Sequence, residues 1–119
     1  MKYHESEEMY LETILLLTER QKEVRSIDIA TELNYSRASV SRAMGLLQAK
    51  NYIEFEKGKI KLTSLGLQKA NDIFERHEII TDLLIKLGVD RDMAEDNACR
   101  IEHVISPELL VYFKEFLNK

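Results

Sequence analysis

The stretch "YIEFEKGKIKLT", residues 52–63, interrupts an otherwise helical pattern and most limits the folds open to this chain. Two apolar residues alternate with glutamates before Lys57-Gly58, and two more alternate with lysines after it. A period of two is typical of a strand with one buried face, and the glycine supplies the positive φ of a tight turn. We therefore predict a β-hairpin with one apolar face and one face that pairs carboxylates with ammonium groups.

Three helices are predicted before this hairpin. Residues 5–20 set apolar side chains among acidic ones without proline or glycine, which indicates an amphipathic first helix. Ser26 is expected to cap helix 2, and Ser36, after the polar break "NYS", is expected to cap helix 3. The residues expected on the core-facing stripes of helices 2 and 3 are Ile27, Ala30, Leu33, Val40, Met44 and Leu47.

Three more helices are predicted after the hairpin. Thr63 is expected to cap helix 4, which runs to about Leu87 and stops at Gly88. Asp90 is expected to cap helix 5, which carries the stretch "ACRIEHVIS", and Ser106-Pro107 supplies a cap and a first-turn proline for helix 6. Helix 6, "ELLVYFKEFL", is apolar on most faces, which favours contact with a partner subunit. The predicted seam of helix 4 contains Ile73, His77, Ile80, Leu84 and Leu87.

Two short helices joined by a three-residue turn and followed by a hairpin are the pattern of a winged helix-turn-helix. The predicted fold class is therefore mainly α with a small β-hairpin. We predict a winged helix-turn-helix domain at residues 1–66 and an α-helical dimerisation domain at residues 67–119. The boundary is expected to be a hinge through helix 4.

Charge is distributed unevenly along the chain. The formal net charge is -4, which argues against a protein that coats nucleic acid without sequence preference. Residues 33–62 nevertheless carry six basic side chains against two glutamates, so the remainder is strongly acidic. This asymmetry indicates a basic working face, although a solvated mixed surface is the simpler alternative.

Composition also limits the compartment and the chemistry of the chain. No apolar run approaches the roughly 20 residues that span a bilayer, and the start lacks the apolar stretch of a secretory signal. We therefore expect a cytoplasmic protein without a membrane partner. A lone cysteine, Cys99, excludes an internal disulfide and leaves a core thiol, a metal ligand or a nucleophile.

The first turns of helix 3 carry hydroxyl and guanidinium groups that suit base edges and phosphates in a major groove. Alternatives remain, because serines also cap helices and a lysine-rich hairpin also resists edge aggregation. A winged helix that only binds proteins is another alternative, and so is a winged-helix regulator that is not controlled by metal or that senses an organic ligand. Helix order, hairpin and local charge together favour double-stranded DNA as the partner. The candidate DNA-binding residues are Ser36, Arg37, Ser39, Ser41, Arg42, Lys57 and Lys59.

The stretch "ACRIEHVIS", residues 98–106, places Cys99, Glu102 and His103 at i, i+3 and i+4. In a helix these positions share one face, with Glu95 one turn earlier, and all three side chains are metal donors. A packed cysteine beside a surface Glu-His pair is an equally valid interpretation. A thiol enzyme with His103 as base is disfavoured, since one helical turn supplies neither oxyanion donors nor a pocket.

Three further candidate ligands lie elsewhere in the chain. His77 interrupts the apolar seam of helix 4, where it is either a satisfied core histidine or a ligand. Met9 and Glu12, at i and i+3 on helix 1, offer a thioether and a carboxylate, or form an ordinary core methionine beside a surface glutamate.

The sequence resembles the DtxR/MntR family of metal-dependent transcriptional repressors. The resemblance covers nearly the whole chain, through "EMYLETI", the winged helix, "RHEII" and "ACRIEHVIS". It implies a homodimer that binds a divalent metal between its two lobes and then binds roughly palindromic operator DNA. The residues that match the activating site of the iron-responsive branch are Met9, Cys99, Glu102 and His103. Glu12 and His77 match further family ligands.

The sulfur donors bear on the choice of metal. In the manganese-responsive branch the positions of Met9 and Cys99 carry carboxylates, whereas thioether and thiolate favour Fe(II) and also accept Co(II), Ni(II) or Zn(II). Mn(II) is the alternative ion, because Glu12 is characteristic of that branch and could join His77 and Glu102 around a second ion. Thr81 and Glu95 replace two ligands of the iron branch's ancillary site. The resemblance implies a short two-domain form without the SH3-like domain of longer members.

Overall fold

The structure, a computed structural model, describes residues 7–119, and the predicted start of the first helix at residue 5 lies outside them. The described part contains six helices and one two-stranded antiparallel sheet, which confirms the predicted fold class. None of these helices is both long and apolar enough to cross a membrane. The elements are α1 (Glu7–Arg20), α2 (Ser26–Leu33), α3 (Arg37–Ala49), β1 (Ile53–Glu56), β2 (Lys59–Leu62), α4 (Ser64–Lys86), α5 (Arg91–Ile101) and α6 (Pro107–Leu117).

The described residues form two compact units, which we call the winged unit (residues 7–71) and the helical unit (residues 72–119). α4 contributes its first turns to the winged unit and the rest to the helical unit. The domain boundary after residue 66 stays a prediction.

The turn between α2 and α3 follows the helix-turn-helix prediction. Asn34 adopts a left-handed conformation with φ of 57°, which ends α2, and the Ser36 hydroxyl accepts the Ser39 amide at 3.1 Å to begin α3. The predicted stripe of α3 is confirmed, because Val40, Met44 and Leu47 are buried. Ala30 is also buried, so the small side chain lies on the core side of α2 as expected.

Two details of α2 differ from the prediction. Ser26 is the first helical residue rather than the cap, and the Arg25 amide donates to the Asp28 carboxylate at 2.8 Å. Ile27 is 40% exposed, whereas Ile29 is fully buried. The spacing could not separate these two isoleucines. Ile27 lies three residues before Ala30, and Ile29 lies four residues before Leu33, so each isoleucine fits a helical period.

The hairpin has the predicted turn and the predicted apolar face. Ile53 pairs with Leu62 and Phe55 with Ile60, which puts the apolar residues on one face. Lys57 and Gly58 both have positive φ, 53° and 80°, as a two-residue hairpin turn of this hand requires.

The polar face of the hairpin pairs its charges in part as predicted. Lys61 contacts Glu56 at 3.1 Å on the same face. Lys59 instead contacts Glu23, before α2, at 2.9 Å. This hydrogen bond and the ammonium charge lower the pKa of the exposed Glu23 carboxyl. The wing is therefore tied to the segment that leads into α2.

The caps of the last three helices are confirmed. The Thr63 hydroxyl accepts the Gly66 amide at 3.0 Å, Asp90 accepts the Met93 amide at 3.2 Å, and Ser106 accepts the Leu109 amide at 3.2 Å. Pro107 opens α6, and Gly88, with φ of 103°, follows the end of α4.

The seam of α4 is correct over its middle and wrong at its end. Ile73 and Ile80 are buried, His77 is partly buried, and Leu84 has intermediate exposure. Leu87 is 66% exposed, since α4 ends at Lys86 and the chain then turns at Gly88. Leu87 fits the helical spacing of the sequence although it lies after the end of the helix.

Thr81 carries a stability prediction for the helical unit. Its side chain is 4% exposed, and its hydroxyl has no hydrogen-bond partner among the described residues. Because an unsatisfied buried hydroxyl is costly, Thr81→Val should raise the free energy of unfolding by about 1 kcal/mol in urea denaturation. Thr13→Val is the matched control, since the Thr13 hydroxyl donates to the Met9 carbonyl at 2.8 Å. Equal destabilisation by both variants would contradict the prediction.

Candidate metal centre and nucleic-acid interface

Glu102 is the most deeply buried charged side chain of the helical unit, with no exposed area. It follows the last residue of α5, and its amide still donates to the Ala98 carbonyl at 2.9 Å. Its φ and ψ of -58° and -25° remain helical, so the side chain keeps the direction expected from the spacing. The prediction that "ACRIEHVIS" lies within helix 5 is wrong in its second half, because α5 ends at Ile101 and residues 102–104 form a turn.

Two histidines lie against the Glu102 carboxylate. His77 Nδ1, from α4, hydrogen-bonds to Glu102 Oε2 at 2.9 Å, and His103 Nε2 lies 3.2 Å from Glu102 Oε1. A buried carboxylate is costly unless other groups compensate its charge. The two imidazoles approach the carboxylate from α4 and from the turn after α5, which fixes its orientation, and they add positive charge only when they are protonated.

Cys99 adds a sulfur to this group of side chains. It is the free cysteine of the chain, partly buried, and its Sγ lies within 4.8 Å of a Glu102 carboxylate oxygen. Glu95 does not join it, because that side chain is exposed and contacts Arg91 at 3.6 Å. The helical unit thus brings together four of the predicted ligands, His77, Cys99, Glu102 and His103.

The other two predicted ligands belong to α1 of the winged unit. Met9 and Glu12 are each 8% exposed and lie one helical turn apart. The Met9 sulfur accepts a hydrogen bond from the Tyr35 hydroxyl at 3.6 Å. Because its side chain is 8% exposed, Glu12 is a buried carboxylate rather than a surface glutamate.

The side chains of both units suit a divalent transition metal. Thiolate, imidazole and carboxylate are the donor types of such ions, and thioether sulfur favours the softer ones. Glu12 and Glu102 are both buried carboxylates, whose charge a cation would compensate. In each unit these donors therefore fit a bound cation better than they fit an apolar core.

The start of α3 presents its candidate DNA-binding residues in two different ways. Ser36 and Ser39 are engaged in the helix cap, where their hydroxyls also lie 3.0 Å apart, as the capping alternative expected. Arg37, Ser41 and Arg42 are exposed. Arg37 and Ser41 line a recess of about 400 Å³ together with Ser26 and Ile27 of α2. The exposed guanidinium and hydroxyl groups are suited to phosphate oxygens and base edges.

A basic residue that the sequence did not single out lies at the turn of the wing. Arg25 Nη1 donates to the carbonyl of Lys57 at 3.3 Å, so its guanidinium lies at the hairpin turn beside the exposed Lys57 side chain. Lys59 is partly buried and contacts Glu23. Arg25 precedes α2 by sequence, and its position on the wing follows only from the tertiary fold.

Two family descriptions match the chain in succession. "Iron dependent repressor, N-terminal DNA binding domain" matches residues 2–59, and "Iron dependent repressor, metal binding and dimerisation domain" matches residues 63–119. Among solved structures, that of T. acidophilum IdeR superposes with a TM-score of 0.86 and 26% identity. It covers all of this chain, which spans 56% of that protein. A manganese-dependent transcriptional repressor in complex with manganese, 24% identical over 95% of this chain and 53% of its own, shares the fold with a TM-score of 0.88.

Curated relatives agree with these domain matches. An uncharacterised HTH-type transcriptional regulator of Methanocaldococcus jannaschii is 32% identical over 97% of this chain and 94% of its own length. The transcriptional regulator MntR of Escherichia coli O6:H1 is 32% identical over 92% of this chain and 72% of its own. MntR of Bacillus subtilis is 31% identical over 92% of this chain and 83% of its own length. The chain therefore belongs to the DtxR/MntR family of metal-dependent transcriptional repressors.

Proposed function

We propose that this chain binds operator DNA as a homodimer when it holds a divalent transition metal, with Fe(II) preferred to Mn(II). The observation that carries the proposal is the buried Glu102 carboxylate, which contacts imidazoles from two elements beside the Cys99 sulfur. The family is one of transcriptional regulators rather than enzymes, so a catalytic role for Cys99 is not needed to explain this group.

The proposed ligands divide according to the family resemblance. Met9, Cys99, Glu102 and His103 would hold the activating ion. Glu12, His77 and Glu102 would hold a second ion. Thioether and thiolate donors favour Fe(II) over the harder Mn(II).

A manganese-responsive regulator is the second candidate. Its support is the similarity to regulators named MntR and the buried carboxylate of Glu12, an oxygen donor that suits Mn(II). The two candidates are separated by measuring which metal, Fe(II) or Mn(II), half-saturates DNA binding at the lower free concentration.

The proposed switch depends on where the charges lie. When bound, the metal supplies positive charge and bonds to donors that belong to both units. Without it, Glu12 and Glu102 are buried carboxylates whose repulsion disfavours a close arrangement of α1 and α5. Because ligand and DNA binding are thermodynamically linked, metal tightens DNA binding by the same factor by which DNA tightens metal binding.

The proposed DNA contacts come from α3 and the wing. Arg37, Ser41 and Arg42 extend from α3 toward bases and phosphates, and Lys57 contacts phosphates from the hairpin turn, while Ser36 and Ser39 hold the helix start. Lys59 contributes positive charge next to Glu23.

A dimer brings two copies of α3 to DNA. Family members bind DNA as dimers through the domain that matches residues 63–119 here. α6 leaves several apolar side chains exposed, which we propose lie at or near the dimer contact: Leu109, Val111, Tyr112 and Phe116. Two-fold symmetry then requires a roughly palindromic operator whose half-sites are separated by whole turns of DNA.

Fluorescence anisotropy tests the proposal on a duplex selected from a random pool against the Mn(II)-loaded protein. Fe(II), under anaerobic conditions, and Mn(II) should each tighten binding by at least about tenfold, within the usual range of allosteric coupling, and a chelator should reverse the effect. The control is Arg37→Ala with Arg42→Ala, which should weaken binding with and without metal and reduce the salt dependence. DNA affinity that is unchanged by the chelator would overturn the metal switch.

A further inference from the structure

Side chains on the first turn of α1 contact residues at both ends of α3. Glu7 Oε1 lies 2.8 Å from Nζ of Lys50, the residue that caps the C-terminal end of α3. Met9 Sδ accepts a hydrogen bond from the hydroxyl of Tyr35, the residue just before the cap Ser36. The two contacts lie two residues apart on α1, so this turn of α1 touches the start and the end of the proposed recognition helix.

Tyr35 is held firmly in the turn between α2 and α3. Its amide donates to the Ala30 carbonyl at 3.1 Å, which is part of the end of α2. Its ring packs edge to face on the buried Tyr10, with 6.2 Å between ring centroids and 66° between the planes. The hydroxyl that reaches Met9 is therefore carried by a well-anchored side chain.

A methionine side chain benefits from such an anchor when its sulfur is a ligand. Methionine has three rotatable bonds, and ordering them for a metal costs conformational entropy. A thioether sulfur has two lone pairs, so accepting the Tyr35 hydroxyl does not prevent the sulfur from binding a cation. The hydrogen bond thus orders the Met9 sulfur without using both of its lone pairs.

We propose that Tyr35 is a positioning residue for metal sensing, which orients the Met9 thioether and joins it to the start of α3. This inference rests on the proposed role of Met9 as a ligand. Through Tyr35, fixing the Met9 sulfur also fixes the turn that sets the direction of α3. The Glu7–Lys50 ion pair holds the opposite end of α3 to the same turn of α1, so α1 and α3 respond as one body.

Tyr35→Phe tests this role because it removes only the hydroxyl. Co(II) affinity, followed by the absorption of the bound ion, should fall about three- to tenfold, the size expected for one lost hydrogen bond. The ratio of DNA affinities with and without Mn(II) should fall by a similar factor. Tyr52→Phe is the matched control in the same unit, since its hydroxyl contacts Lys69 and not Met9.

A double-mutant cycle separates positioning from a general structural role. With Met9→Leu already present, Tyr35→Phe should have no further effect on Co(II) affinity, because no sulfur remains to be oriented. If the wild type responds to metal and the Tyr35→Phe variant keeps the same Co(II) affinity and the same DNA coupling, this inference alone is overturned. A wild type whose DNA affinity ignores metal would overturn the proposed function and this inference together.

Discussion

Replacing Glu102 with glutamine should reduce the affinity of the protein for Mn(II) and for Co(II) by roughly 100-fold or more, since even groups behind a ligand commonly contribute 10- to 100-fold. The substitution keeps the size of the side chain and removes its charge, which the adjacent imidazoles of His77 and His103 now face. Metal-dependent DNA binding should disappear at metal concentrations that saturate the wild type. Isothermal titration calorimetry measures the first effect, and anisotropy measures the second.

Glu95→Gln is the control for this prediction. Glu95 lies on the same helix, is exposed, and contacts Arg91, so it loses the same charge outside the proposed site. The metal affinity of this variant should stay within about twofold of the wild type, since an exposed ion pair of this kind contributes little to the stability of the fold. Comparable metal affinity in the Glu102→Gln variant and the wild type would show that this carboxylate is not a ligand.

Gly66→Ala should destabilise the protein by about 3 kcal/mol, the upper end of the usual cost of overpacking. A Cβ at this position would lie 1.9 Å from the carbonyl oxygen of Tyr52, and backbone atoms cannot move aside as a flexible side chain would. That carbonyl also accepts the Thr63 amide at 3.0 Å, so a shift would disturb the entry into α4. Urea denaturation followed by circular dichroism measures the change.

The matched variant is Gly45→Ala, in the middle of α3. No atom lies within 4 Å of a Cβ built there, apart from its own helix and chain neighbours, so only helix propensity should act. We expect a gain of about 0.5–1 kcal/mol in stability. Wild-type stability in Gly66→Ala would mean that α4 does not approach Tyr52 so closely.

The sequence predicted those features that depend on neighbours along the chain. The alternation around Lys57-Gly58 predicted the hairpin and its single apolar face, because successive side chains of a strand lie on opposite faces. Ser36, Asp90 and Ser106 predicted helix starts because a short hydroxyl or carboxylate bonds to an amide two or three residues later.

The sequence failed where several local patterns were equally good. Ile27 and Ile29 both fit the short helix α2, and only packing against the rest of the winged unit buried Ile29. The end of α5 was similarly uncertain, since Glu102 keeps helical angles after the helix has ended. Neither ambiguity could be resolved without the partners across the fold.

The candidate site shows the same division. By itself the sequence determined which donor types the chain carries and that Cys99, Glu102 and His103 extend to one side, because helical geometry fixes the directions of residues three and four apart. Only the tertiary structure decided that His77 contacts the Glu102 carboxylate, that Arg25 reaches the wing, and that Tyr35 contacts the Met9 sulfur. Each of these contacts joins residues 25 to 32 positions apart, a separation over which no periodic pattern carries information.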